Sequence, residues 1–220
     1  MNKLNVLYED NHVIVVVKPF NVLSQSDNTK DLDMLTIVKE YIKEKYNKPG
    51  NVYLGLVHRL DRPTMGVMVF AKTSKAASRL SEQIRNNTFE KKYVAIVNGV
   101  LPKKEDTLVD YLEKLDNGNS VVSDKGKLSE LSYKVLKEDK INNLSLVDIS
   151  LKTGRHHQIR VQFASRGHSL LGDSRYSENK EKNQLCLVAY SLKFNHPTTK
   201  EKLEFSIPFY GLEHFKKFYL

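Results

Sequence analysis

The chain has 220 residues, 40% hydrophobic and 28% charged, with a formal net charge of +9. That length buries a real core, and no run approaches the roughly 20 apolar residues of a membrane span. A single cysteine, Cys186, excludes an intrachain disulfide and a cysteine-based metal cluster. Met1-Asn2-Lys3-Leu4-Asn5 has no apolar leader, so a cytoplasmic protein is expected. The charge is localised. Arg59 to Lys92 holds eight Lys or Arg against three acids, Lys152 to Arg175 five against one, and the rest is neutral. Charge confined to two segments suits a surface that meets phosphates, although two solvated helix faces would read the same way.

In chain order, Leu4 to Tyr8 and Val13 to Lys18 read as strands joined at Glu9-Asp10-Asn11. Asp31 to Lys48 has the helical spacing of Leu35, Val38, Tyr41 or Ile42, and Tyr46, with Asp31 and Asp33 in its first turn. Val52 to Val57 is an expected strand, followed by a polar turn at His58 to Pro63. Val67 to Ala71 is a buried strand and Ser74 to Asn86 an amphipathic helix carrying Lys75, Arg79 and Arg85. Lys92 to Val97 is a strand; Pro102 to Lys127 reads as a peripheral hairpin or mobile insert. Tyr133 to Leu136 and Leu144 to Leu151 are strands, and Gly154 opens a helix to Ser165. Leu185 to Phe194 with Leu203 to Ile207 forms a hairpin, and Leu212 to Leu220 a short closing helix. Strands and helices without regular βαβ alternation give an α+β class.

Three segments can do chemistry. His58-Arg59-Leu60-Asp61 lies where a strand breaks into a turn, flanked by Arg59 and Arg62. A carboxylate held there can act as a nucleophile or stabilise positive charge at a sugar carbon; a turn-stabilising aspartate in a surface ion pair is the plain alternative. Lys91-Lys92-Tyr93-Val94-Ala95 puts a tyrosine inside a strand, as core or as a ring that stacks on a base and moves a proton. In Lys152-Thr153-Gly154-Arg155-His156-His157-Gln158-Ile159-Arg160, helical geometry would turn Arg155 and Arg160 about 140° apart. One could then meet nucleic acid while the other turns to a carboxylate such as Asp61. The paired histidines have no further ligand at zinc spacing.

Together these blocks resemble the RluA-type RNA pseudouridine synthases. The resemblance rests on His58-Arg59-Leu60-Asp61 with Gly66, then Lys92-Tyr93 with Ala95. It continues through Thr153-Gly154-Arg155, His157-Gln158-Ile159-Arg160 and Gly172-Asp173. It extends from Leu7-Tyr8-Glu9-Asp10 and Val17-Lys18-Pro19 to His196-Pro197. It implies a mixed, mainly antiparallel sheet with helices and loops around a basic cleft, in one catalytic domain spanning 1–220 without an N-terminal S4 domain. It makes Asp61 the catalytic aspartate, Tyr93 the active-site tyrosine that takes the C5 proton, and Arg160 the basic partner of the aspartate. Arg59 matches a residue linked to nucleotide opening, and Ile159 a wall of the base pocket. Arg62, Lys92, Arg155, His157 and Gln158 are then expected to contact RNA. Met65, His156 and Gln162 depart from the family pattern and bear on substrate preference. Ribosomal or transfer RNA is the implied partner of an isomerase that needs no metal, redox or nucleotide cofactor; without a heptad or an apolar patch in the sequence, a monomer is expected. A uracil-releasing glycosidase would need an activated water, a deaminase its zinc motifs, and a non-catalytic RNA-binding protein would share the fold but not the turnover.

Overall fold

The computed structural model describes residues 4–29, 31–178 and 183–219. Met1 to Lys3, at the start of the segment read for a leader, and Leu220, the expected end of the closing helix, lie outside them. The elements run β1 (Val6–Glu9), β2 (Val13–Lys18), α1 (Met34–Lys45), β3 (Gly55–Leu56), β4 (Met65–Ala71) and α2 (Ser74–Arg85). They continue as β5 (Glu90–Asn98), β6 (Glu105–Lys114), β7 (Ser120–Val122), β8 (Lys127–Asp139) and β9 (Leu144–Leu151). The last are α3 (Gln158–Ala164), β10 (Leu187–Asn195), β11 (Lys202–Ser206) and α4 (Glu213–Lys216). Two compact units result: Met1–Phe89 with Ser191–Ile207, and Glu90–Tyr190 with Pro208–Leu220.

In the first unit, β2 pairs antiparallel with β4 from Val13 against Ala71 to Lys18 against Gly66. Every residue of β2 is buried, as its unbroken apolar run demands. The β1–β2 turn is closed by Asp10, whose carboxylate accepts from the backbone amides of His12 and Val13 at 2.7 Å each. Its other oxygen meets His196 Nε2 at 2.7 Å, which joins the turn after β10 to the first hairpin. Asp33 caps α1, accepting from Thr36 N at 3.0 Å, so the helix starts at Met34 and Asp31 precedes it rather than sitting in its first turn. Thr73 caps α2 in the same way. The expected strand over 52–57 shrinks to Gly55–Leu56. A Cβ on Gly55 would come within 2.9 Å of the Ala77 Cβ, so glycine is what lets this strand lie against α2.

The second unit holds an antiparallel sheet in the order β5-β9-β8-β6-β7. The segment expected as a peripheral hairpin or mobile insert takes the first form: β6 and β7 are an antiparallel hairpin at the end of the strand order, and β6 also pairs along β8. β8 is far longer than Tyr133 to Leu136, because Ser129, Leu131 and Tyr133 alternate inward with polar residues outward. One row across the sheet reads Tyr93, Ile149, Tyr133, all on the same face. The ring of Phe163 in α3 packs against Tyr133 at 5.4 Å. The helix opens at Gln158, not Gly154. His157 stands in the left-handed region at φ 53°, which makes the residues before it a turn.

Candidate active site

In the first unit the aspartate segment is gripped through its peptide groups. Ser24 Oγ donates to Leu60 O at 2.7 Å and accepts from Leu60 N at 3.0 Å. Thr64 N donates to Asp61 O at 2.9 Å. Lys18, 0% exposed, donates from Nζ to Pro19 O at 3.0 Å and to Arg62 O at 2.9 Å. Leu60 and Arg62 are therefore fixed by neighbours remote in sequence, and Asp61 between them by its own turn. Burial pulls the Lys18 ammonium down to about 7; the Asp61 charge opposes that shift and Arg62 adds to it. His58, two residues before Leu60, accepts from Val69 N at 3.1 Å and packs edge-on to Phe89. Arg59 is exposed, and the Arg62 guanidinium meets Asp31 at 2.8 Å with both side chains about half exposed. In the following helix, Arg79 donates to Pro197 O at 2.9 Å.

In the second unit the arginine segment is gripped through its charge. Arg160 is 3% exposed and Asp173 1%. Arg160 Nε and Nη2 donate to the two Asp173 oxygens at 2.7 Å each, a bidentate fork in the interior. Asp173 Oδ1 also accepts from the amides of Arg175 and Tyr176, and the Tyr176 ring lies 5.1 Å from the Arg160 guanidinium carbon. The sequence expectation named only Asp61 as the partner of Arg160; the fork to Asp173 occupies two of its three nitrogens.

Tyr176 ties this site to its surroundings. Its hydroxyl accepts from Ser120 N at 2.8 Å, so its own proton points to His157 Nδ1 at 2.7 Å. His157 is then the neutral acceptor. Burial, with the Arg160 charge second, pushes its imidazole down to about 2. His156 stacks on His157 at 3.7 Å and meets Ser120 Oγ at 3.0 Å.

Three of the residues expected to contact RNA lie in and before the first turn of α3. Gln158 is 2% exposed: Oε1 accepts from Thr153 Oγ1 and Arg155 N, and Nε2 donates to Glu130 O and Gln162 Oε1. Its amide staples the loop to Glu130 and to the start of α3. His157 belongs to the Tyr176 network. Arg155 precedes the helix, so the helical angle to Arg160 does not apply; it is exposed and its Nε donates to Leu128 O. Tyr93 and Ile159 are buried, while Lys92 is exposed on the opposite face of β5 from Tyr93. Lys18, Ser24 and Tyr176 were not singled out for a role by sequence reasoning. A lysine closing a fully buried strand was the one available signal.

A family model described as RNA pseudouridylate synthase matches residues 12–165. The chain belongs to the RNA pseudouridylate synthase family. It is accordingly an RNA-modifying isomerase of the RluA type. It is 35% identical over 217 residues to a ribosomal large subunit pseudouridine synthase C of Buchnera aphidicola, covering 93% of this chain and 67% of the relative. An uncharacterised RNA pseudouridine synthase of Bacillus subtilis is 34% identical over 211 residues, covering 94% and 69%. The fold matches the solved structure of human RNA pseudouridylate synthase domain containing 4, with a TM-score of 0.80 at 23% identity over 96% of this chain and 90% of that one.

Proposed function

We propose that this chain converts specific uridines of large-subunit ribosomal RNA to pseudouridine, with Asp61 as the catalytic carboxylate. The observation that carries the reading is the aspartate segment, whose backbone is anchored at Leu60, Asp61 and Arg62 by Ser24, Thr64 and Lys18. Such anchoring holds a reacting group to the tolerance that catalysis needs. The ribosomal substrate is favoured because the relatives that carry a substrate in their names carry that one.

The reaction breaks the C1′–N1 bond, turns the uracil and forms C1′–C5. The C5 proton leaves and N1 gains one, so no oxidant, reductant or cofactor enters. A stacked uridine must first be flipped out, at a cost of a few kcal/mol. Arg59, Arg62, Lys92 and Arg155, all exposed, supply phosphate contacts for that step. Asp61 attacks C1′ or assists deprotonation at the sugar; Tyr93 takes the C5 proton; Arg160 supplies the positive charge that orients the carboxylate. Water is kept out while the base is loose. The chain works as a monomer in the cytoplasm.

Ribosomal and transfer RNA fractions carrying tritium at uracil C5, from cells lacking this protein, test the reading when counted separately. Tritium released from the ribosomal fraction without free uracil is the expected result. Release from transfer RNA alone would change the substrate, and free uracil would change the reaction.

A further inference from the structure

Two lysines of this chain are withdrawn from water near the reactive segments, and they differ in what receives them. Lys18 has two carbonyl acceptors. Lys91 is half-buried, and among the described residues no hydrogen bond or ion pair engages it. Burial shifts its ammonium downward from the ordinary lysine value, and among the described residues no acid opposes that shift. A desolvated cation without a counter-charge is a cost that a fold does not carry without return.

Its location supplies the return. Lys91 is two residues before Tyr93 in β5, so both side chains leave the same face, about 7 Å apart along the strand. Lys92, between them, points to the other face. The Lys91 ammonium lodges against Gly154, where a Cβ would stand 3.1 Å from Nζ. Gly154 sits in the loop that Thr153 and Gln158 pin to Glu130, so that wall is rigid.

We infer that Lys91, seated against Gly154, is a phosphate-binding residue for the RNA strand that delivers its uridine to Tyr93. This rests on the synthase reading for its substrate, though not for its chemistry. A preformed, partly dehydrated ammonium binds a phosphate oxygen more strongly than a solvated surface lysine does.

The test is Lys91→Met, which keeps the stem and removes the charge, assayed on the tritiated ribosomal RNA and by titration of the same RNA at several salt concentrations. The slope of log affinity against log salt should fall by about 0.7, the value for one single-strand phosphate contact. KM should rise about tenfold, more than kcat falls, and thermal stability should hold or increase. An unchanged slope and KM in a protein whose wild type releases tritium would overturn the inference and leave the synthase reading intact. A wild type that releases none, with the slope still reduced by the substitution, would overturn the synthase reading and leave the phosphate contact standing. If Lys91→Met does not fold, Gly154→Ala decides. Its methyl crowds the ammonium, so KM should rise by a smaller factor, and an unchanged KM would contradict the proposal.

Discussion

The aspartate segment and the arginine segment are held by opposite means. Around Asp61 the protein grips peptide groups: Ser24 takes both polar atoms of Leu60, Thr64 takes Asp61 O and Lys18 takes Arg62 O. Around Arg160 it grips the charge itself, with an interior carboxylate on two guanidinium nitrogens. The first arrangement fixes a side chain's origin through bonds of about 1 kcal/mol each, none of them made by the reacting group. The second fixes the head group with a buried pair whose net worth is small but whose disruption is costly. A group that must change partners during a reaction suits the first, and a group that must only stay in place suits the second.

That contrast can be broken in order of expected effect. Asp173→Ala strands the Arg160 charge in the interior, and denaturant unfolding should show a loss of about 3–5 kcal/mol. Tritium release should fall by at least a hundredfold in whatever folded protein remains. Next is Lys18. The unfolded chain holds that proton to near pH 10.5, whereas the folded chain releases it near 7. The unfolded state therefore binds more protons between these values, and stability should climb with pH across that window by several kcal/mol from this group. Lys18→Met should flatten the climb, as followed by thermal melts from pH 6 to 10. Ser24→Ala leaves two buried peptide groups of Leu60 without their partner and should cost about 1–3 kcal/mol. Its turnover should fall about tenfold with little change in RNA affinity. Arg62→Ala breaks only a half-exposed pair with Asp31 and should cost under about 1 kcal/mol by the same unfolding measurement.

The sequence was most legible where local signals act alone. The apolar run of β2, the amphipathic spacing of α2 and the β10–β11 hairpin all follow from residues close together in the chain. The bounds of α3 were missed because a left-handed His157 is set by its bond to Tyr176, not by helix propensity. β8 was underestimated because its alternation hides among polar residues whose inward members meet α3 and β6. Within the site, Asp61, Tyr93 and Arg160 stood out through a resemblance spread over the chain. Of their supports, Lys18 and Asp173 fell within that resemblance without a role, and Ser24 lay outside it. The pairs Ser24–Leu60, Lys18–Arg62 and Arg160–Asp173 are separated by 36, 44 and 13 residues, distances over which no periodicity speaks.

On this reading Asp61 reacts, while Ser24, Thr64 and Lys18 only hold its segment. Asp61→Asn removes the charge and keeps the shape, so the peptide contacts of Leu60, Asp61 and Arg62 survive. Binding of the ribosomal RNA should stay within about threefold of wild type, while tritium release should fall by at least about a thousandfold. Release that persists within tenfold of wild type, with binding intact, would contradict the assignment and move the catalytic carboxylate elsewhere in the chain.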